Sequence, residues 1–393
     1  MINNKMEPHD AAGEEMPADL RAVVERLKDV PRAVVSHDLA PEILASIQRD
    51  RMRRRRLAIG LAAAATVALV FGARLWFGGQ GVLPADLAKA GSLDPARKAI
   101  TWLCATQEPD GSWSTARWGG DKQFEPALTA LSLMTLLGDP EGAAAADKST
   151  AWLLSRQQPD GTFGDTFSGT PYNQGIVVLA LGRAYEIRKD EALKAALDRA
   201  VAVICTRQYA DGGWGYNHEA HPASNLSITL WQIEALRVAA GQGRPQLQAS
   251  VERGLRWMAG VASDDGSFGY QKSGDTPGGA SQTLTAMGAM SLLDGAHAGL
   301  LSSSRRQAMV AQMRRSATNP GADMDYYRRY FLTAALKRMG EEIARRDLGV
   351  IRNDLLAQQV TQGPEAGSWT ADTRWGSAGG RIYATTLASL SLR

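Results

Sequence analysis

From residue 93 onward the chain alternates between two hydrophobic patterns of helical period. In the first, apolar positions recur on one face and charges occupy the other, as in Asp94-Pro95-Ala-Arg97-Lys98-Ala-Ile100-Thr-Trp102-Leu103-Cys104, where an aspartate caps and a proline opens the helix. Residues 148–157, 191–208 and 247–257 repeat it. In the second, over 126–137, 174–181, 226–233 and 280–293, charge is nearly absent. A helix with a charged face borders solvent, whereas one that is apolar or small all round is buried. The two kinds therefore belong to different layers.

A short marker separates the members of each pair: Asp110-Gly-Ser-Trp113, Asp160-Gly-Thr-Phe163, Asp211-Gly-Gly-Trp214 and Asp265-Gly-Ser-Phe268, with steps of 50, 51 and 54 residues between the glycines. A period of this size marks a supersecondary unit that must stack on copies of itself to bury its apolar face. Residues 309–315 with 325–339 form a fifth pair that has lost the marker, and 347–359, Gly367-Ser368-Trp369 and 380–392 form a sixth. Neither end carries the polar cap of an open solenoid. Copies one and six also share Arg-Trp-Gly, at Arg117-Trp118-Gly119 and Arg374-Trp375-Gly376, as neighbours across a closure would. The pattern predicts an all-α fold, an α/α toroid of six helix pairs over 93–393.

Within the marker, Asp-Gly supplies a turn with positive φ at glycine, which lets the aromatic lie back over the helix it has just left. Gln107, Gln157 and Gln208 stand at fixed offsets ahead of it and offer an amide to open helix ends. Trp113, Phe163, Trp214, Phe268 and Trp369 are accordingly packing residues.

Arg97-Lys98-Ala-Ile-Thr-Trp102-x4-Gln107-x3-Gly111-Ser-Trp113 resembles the QW repeat of squalene-hopene and oxidosqualene cyclases, whose toroid is shared by protein prenyltransferase β subunits. Leu226-Ser-Ile-Thr-Leu-Trp231-Gln232-Ile, Asp325-Tyr-Tyr-Arg-Arg-Tyr330 and Gly380-Arg381-Ile-Tyr383-Ala-Thr-Thr are similar to bacterial prenyltransferase or squalene oxidase repeat proteins. The resemblance implies the toroid and directs attention to two chemistries. Cyclases of this kind protonate an alkene with Asp-x-Asp-Asp, which needs a carboxyl kept protonated by burial and neighbours. The approximations here are Asp264-Asp265, part of a marker, and Asp323-Met324-Asp325, at a helix start where capping is the plainer role. Prenyltransferases hold zinc on aspartate, cysteine and histidine, yet neither Cys104 nor Cys205 has the Asp-x-Cys spacing, and His218 and His221 have no evident third ligand. The two cysteines are small core residues of separate copies, so no disulfide is expected, and no metal or cofactor is called for.

Inner helices that all follow the same kind of loop aim their N-termini at one mouth of the ring, where partial positive charge and loop side chains converge. The candidate ligand-binding residues entering there are Tyr172, Asn173, Asn225, Gln282, Tyr326, Tyr327, Arg328, Arg329, Arg381 and Tyr383. Arg328 and Arg329 interrupt an otherwise uncharged layer. They read either as a partly exposed pair or as a cationic contact for an anionic head group.

Ahead of the repeats, residues 57–77 are apolar apart from Arg74 and follow Arg49, Arg51, Arg53, Arg54, Arg55 and Arg56. That pattern predicts a single transmembrane helix with a cytoplasmic N-terminus and a periplasmic or extracytoplasmic toroid. A cleaved signal peptide is the alternative, against which the n-region of over 50 residues stands. Residues 1–56 are expected to be a cytoplasmic tail with one or two short helices, able to meet a protein partner, and 78–92 a linker. The net charge of +3 is concentrated in the arginine run, which suits anionic lipid and not nucleic acid. Two function classes follow. One is binding of a hydrophobic (isoprenoid or lipid), glycan or protein ligand by a ring without the recognised catalytic sets. The other is an isoprenoid-processing enzyme using Asp323 or Asp325 as acid.

Overall fold

The computed structural model describes residues 94–393 apart from 165–169, 217–222, 278–279, 294, 319–324 and 374. The second of two units, Gly91–Arg393, carries the repeats. Among the described residues the second unit holds twelve α-helices and no extended strand: α1 (Pro95–Thr106), α2 (Glu125–Leu136), α3 (Ala143–Ser155), α4 (Thr170–Arg188), α5 (Glu191–Thr206), α6 (Leu226–Ala240), α7 (Gln248–Gly260), α8 (Ser281–Leu292), α9 (Ser303–Thr318), α10 (Tyr326–Arg338), α11 (Glu341–Gln358) and α12 (Gly376–Leu392). The even-numbered helices form the inner layer, each packed on the next, and the odd-numbered ones the outer layer.

The ring closes. The last inner helix, α12, packs on α2 and α1. The seam is tied by backbone bonds from Asp121 N to Ala378 O (2.9 Å) and from Arg381 N to Trp118 O (2.8 Å). Arg393 reaches the carbonyls of Thr135 and Leu137, so the final residue is bound to the first inner helix. Gly380 takes φ +64° inside α12, and a Cβ there would clash with the Trp118 carbonyl; the shared Arg-Trp-Gly phrase thus lies at the closure.

A marker preceded by glutamine works as a clamp. Its glutamine donates to two carbonyls, one in its own turn and one at the start of the next outer helix: Gln107 to Gly111 and Ala145, Gln157 to Gly161 and Ala196, Gln208 to Gly212 and Ser250. Gln359 makes the same pair across the seam, to Gly367 and Pro95. The indoles of Trp113, Trp214 and Trp369 donate back to Leu103, Ile204 and Leu355 on the helix just left. Gly367, at φ +95°, lies against the Lys98 carbonyl, so any side chain there meets both strain and a clash. The backbone N–H of each marker aromatic in turn donates to a side chain of the inner helix: Thr129, Gln174, Thr229, Thr285 and Thr385.

Two expectations require correction. The inner helix expected over 174–181 runs from Thr170 to Arg188, because Arg183 and Glu186 pair with each other at its exposed end instead of stopping it (3.1 Å). The single-pass localisation is not upheld: among the described residues no helix is long and apolar enough to cross a membrane. Residues 57–77, which carry that expectation, lie outside the described residues, as do 1–56 and 78–92.

Candidate functional site: an aromatic lumen

The first turns of the inner helices surround a cavity of about 480 Å³. Its wall takes Ala127, Leu128 and Leu131 from α2, Tyr172 and Ile176 from α4, Ser227 and Trp231 from α6, Thr283, Leu284 and Met287 from α8, Tyr327 from α10, and Gly379 and Tyr383 from α12. Phe124, Tyr216, Tyr270 and Trp375 complete it from the connecting loops. No charged side chain is among the wall residues described. Trp375, 41% exposed, stands at the rim.

The rings hold one another edge to face, Phe124 on Tyr172 and Tyr172 on Tyr216 with centroids 6.2 and 6.1 Å apart. Opposite, Tyr327 meets Phe331 at 4.7 Å and Tyr383 at 6.1 Å. Such offset and edge arrangements are favourable for aromatic pairs. Deeper along α6, Trp231 stacks on Tyr330 (6.1 Å, 12°), and the next turn carries Glu234, a buried acid paired with Arg237 (3.0 Å) and Arg338 (2.9 Å). Burial pushes the Tyr330 phenol up to about 12.

The polar part of the wall is a chain of hydroxyls. Trp231 Nε1 donates to Tyr327 Oη at 2.7 Å, Tyr327 Oη shares a bond with Ser227 Oγ at 3.0 Å, and Tyr172 Oη donates to Ser227 Oγ at 3.2 Å. Tyr216 lies 3.5 Å from both Tyr172 and Tyr270. Burial, first, and the neighbouring phenols raise Tyr172 and Tyr270, and burial raises Tyr327 and Tyr383, so all four stay neutral donors over the ordinary pH range.

The candidate residues divide by position. Tyr172, Tyr327 and Tyr383 line the lumen. Asn173 bridges Ala127 N and Gln123 O, and Asn225 caps α6 by accepting from Ile228 N. Gln282 accepts from Arg328 and from Ser316. Arg329 is fully buried in an ion pair with Asp354, and burial lowers its pKa. Arg381 pairs with Glu365 (2.7 Å) and Ser368 (2.9 Å), while Tyr326 is buried away from the lumen wall, its phenol raised by that burial.

Asp325 caps α10: one oxygen accepts from Arg328 N (3.0 Å) and the other from Thr283 Oγ1 (3.1 Å). Asp323, His218 and His221 lie outside the described residues. Burial raises the Glu125 carboxyl at the start of α2, but that side chain is not in the wall.

Comparison with known proteins accords with the repeats. The squalene-hopene cyclase C-terminal domain matches residues 83–174. Drimenyl diphosphate synthase of Streptomyces showdoensis is 31% identical over 183 residues, which is 46% of this chain and 33% of that protein. The chain thus spans about a third of the curated relative's length. Among solved structures, an α-1,6-mannanase of Salegentibacter sp. HEL1_6 in complex with α-1,6-mannotriose superimposes with TM-score 0.55 at 9% identity, covering 76% of this chain and 96% of that one. An α-amylase from Clostridium perfringens does so with TM-score 0.56 at 8% identity, covering 77% and 99%. These two share the fold alone. The repeats belong to the α/α-toroid superfamily that includes the terpenoid cyclases.

Proposed function

We propose that the ring binds a neutral, elongated apolar ligand of the isoprenoid class in its lumen. The observation that carries this reading is the wall: an aromatic and aliphatic surface whose polar atoms are hydroxyls, without a charged side chain among the residues described. A volume near 480 Å³ is in the range of small-molecule pockets, about 300–1,000 Å³. A glycan would need dense polar partners, and glycoside hydrolysis a pair of carboxyls about 5–10 Å apart across the bond. An anionic head group would need cations, and Arg328, Arg329 and Arg381 are engaged with protein partners outside the wall.

A second reading, catalysis with Asp325 as acid, has one observation in its favour. Thr283 lines the lumen and bonds to Asp325, which places the carboxyl one hydrogen bond behind the wall. Both its oxygens nevertheless accept structural hydrogen bonds, and it presents no face to the lumen wall, so binding is preferred.

The test is a titration of the protein with farnesene, a neutral isoprenoid hydrocarbon, followed by tryptophan fluorescence through Trp231. The expected result is saturable binding of one molecule, weakened at least about tenfold by Ala378→Trp, since Ala378 of α12 also lines the cavity and an indole there takes up its space. Binding of mannotriose in place of farnesene, or farnesene binding indifferent to that substitution, would overturn it.

A further inference from the structure

Ser227 and Tyr327 do more than complete the wall. The hydroxyl chain links Trp231 Nε1, Tyr327, Ser227, Tyr172, Tyr216 and Tyr270. Its bond directions are constrained. Tyr172 spends its hydrogen on Ser227, and Tyr270 donates to Tyr216. Trp231 has only a donor to offer, and gives it to Tyr327 Oη. Two hydrogens, those of Ser227 and Tyr327, remain for the single bond between these two oxygens. Whichever donates, the other keeps an O–H with no acceptor among the described residues, and both residues line the lumen.

Resting on the lumen reading above, we infer that the site selects an oxygen-bearing ligand: an isoprenoid-class molecule carrying a neutral hydrogen-bond acceptor, such as a ketone, ether or epoxide oxygen, that takes the spare hydrogen at the Ser227–Tyr327 pair. The surplus is of donors, so an acceptor without a hydrogen of its own fits best. Placed there, the oxygen is flanked by Trp231 and Tyr172, and the rest of the ligand lies against Leu128, Leu131 and Met287. A hydrocarbon leaves a buried donor unmatched, which costs affinity. A carboxylate or phosphate meets no cation in the described wall and loses its hydration.

The experiment compares geranylacetone, an acyclic isoprenoid ketone, with farnesene, a hydrocarbon of similar length. The ketone is expected to bind about three- to tenfold more tightly, the usual effect of one net hydrogen bond. The infrared carbonyl stretch of the bound ketone is expected to fall below its value in hexane. In Tyr172→Phe/Ser227→Ala/Tyr327→Phe, which strips the nearest hydroxyls, that shift and the preference should vanish while farnesene still binds. A hexane-like carbonyl frequency in the wild-type complex, or equal affinities for the two ligands, would overturn the donor assignment while leaving the lumen reading intact. Failure of both ligands to bind would overturn the lumen reading itself. The infrared measurement on the unaltered protein needs no variant, so a misfolded triple substitution does not remove the test.

Discussion

Removing one buried amide at the seam should destabilise the whole ring. Gln359 Nε2 donates to Pro95 O and Gly367 O, both at 2.9 Å, and so ties the sixth copy to the first across 264 residues of chain. In Gln359→Ala both carbonyls lose their donor in a site that is 9% exposed. Each unsatisfied buried acceptor costs about 1–3 kcal/mol, so the expected loss for the two is roughly 2–6 kcal/mol if water does not replace the amide. The comparison is Gln208→Ala, which deletes the equivalent bonds to Gly212 O and Ser250 O (2.7 and 2.9 Å) in mid-chain. In a closed ring the two substitutions cost the same within about 1 kcal/mol, because the seam is an interface like any other. Urea unfolding followed by tryptophan fluorescence reads both, with the slope expected to stay close to wild type. If Gln359→Ala changed stability by less than about 0.5 kcal/mol while Gln208→Ala took its full toll, the ring would be open in solution and the closure wrong.

Six of the nine tyrosines, Tyr172, Tyr270, Tyr326, Tyr327, Tyr330 and Tyr383, are raised by burial, so ultraviolet titration should show these six still protonated at pH 10 in the folded protein. Because their folded values lie above the unfolded one, their stabilising contribution is full below about pH 10 and is lost as pH rises further, so these six should ionise together with unfolding. The marker acids Asp110, Asp160 and Asp265 have the opposite sign: bonds from Ser112, Thr162 and Ser267 hold them low, for Asp110 against the opposing effect of burial. Stability they confer is present above about pH 4 and should decline as pH falls through their folded values, a decline that triple replacement by asparagine should flatten in an acid unfolding series. At the cap of α10, Asp325→Asn should leave stability and farnesene affinity unchanged, whereas Asp325→Ala should cost about 1 kcal/mol in denaturation; loss of a catalytic activity in the asparagine variant alone would instead favour an acid role.

The layers were legible because burial acts on whole helices. A solvent-facing stripe and a charge-free helix differ in composition over ten or more positions, and the Asp-Gly-x-aromatic phrase fixes where one yields to the other. Charge inside the inner layer was harder to place. Glu234 is buried, yet its partners Arg237 and Arg338 come from one turn and from another helix pair, and only the second is distant in sequence. Arg328 and Arg329 stood out as breaks in the pattern, but their partners Gln282 and Asp354 could be identified only in three dimensions. The lumen was partly legible as well. Tyr172, Tyr327 and Tyr383 follow from their place at helix starts, whereas Tyr216 and Tyr270 arise from loops. A signal for them was present, since each follows its marker aromatic as Gly-Tyr, in Trp214-Gly215-Tyr216 and Phe268-Gly269-Tyr270. Ser227 and Trp231 were hidden in a helix that reads as core throughout, because facing a cavity and facing a neighbouring helix require the same apolar composition.

The most direct measurement is photoaffinity labelling with a diazirine placed on a farnesyl hydrocarbon chain, followed by mapping of the modified peptides. Adducts on the segments that carry Tyr172, Trp231 and Tyr327, suppressed by excess farnesene, are the expected result. Adducts confined to exposed apolar residues such as Ile187 and Ile343, unaffected by competitor, would contradict a ligand-binding lumen.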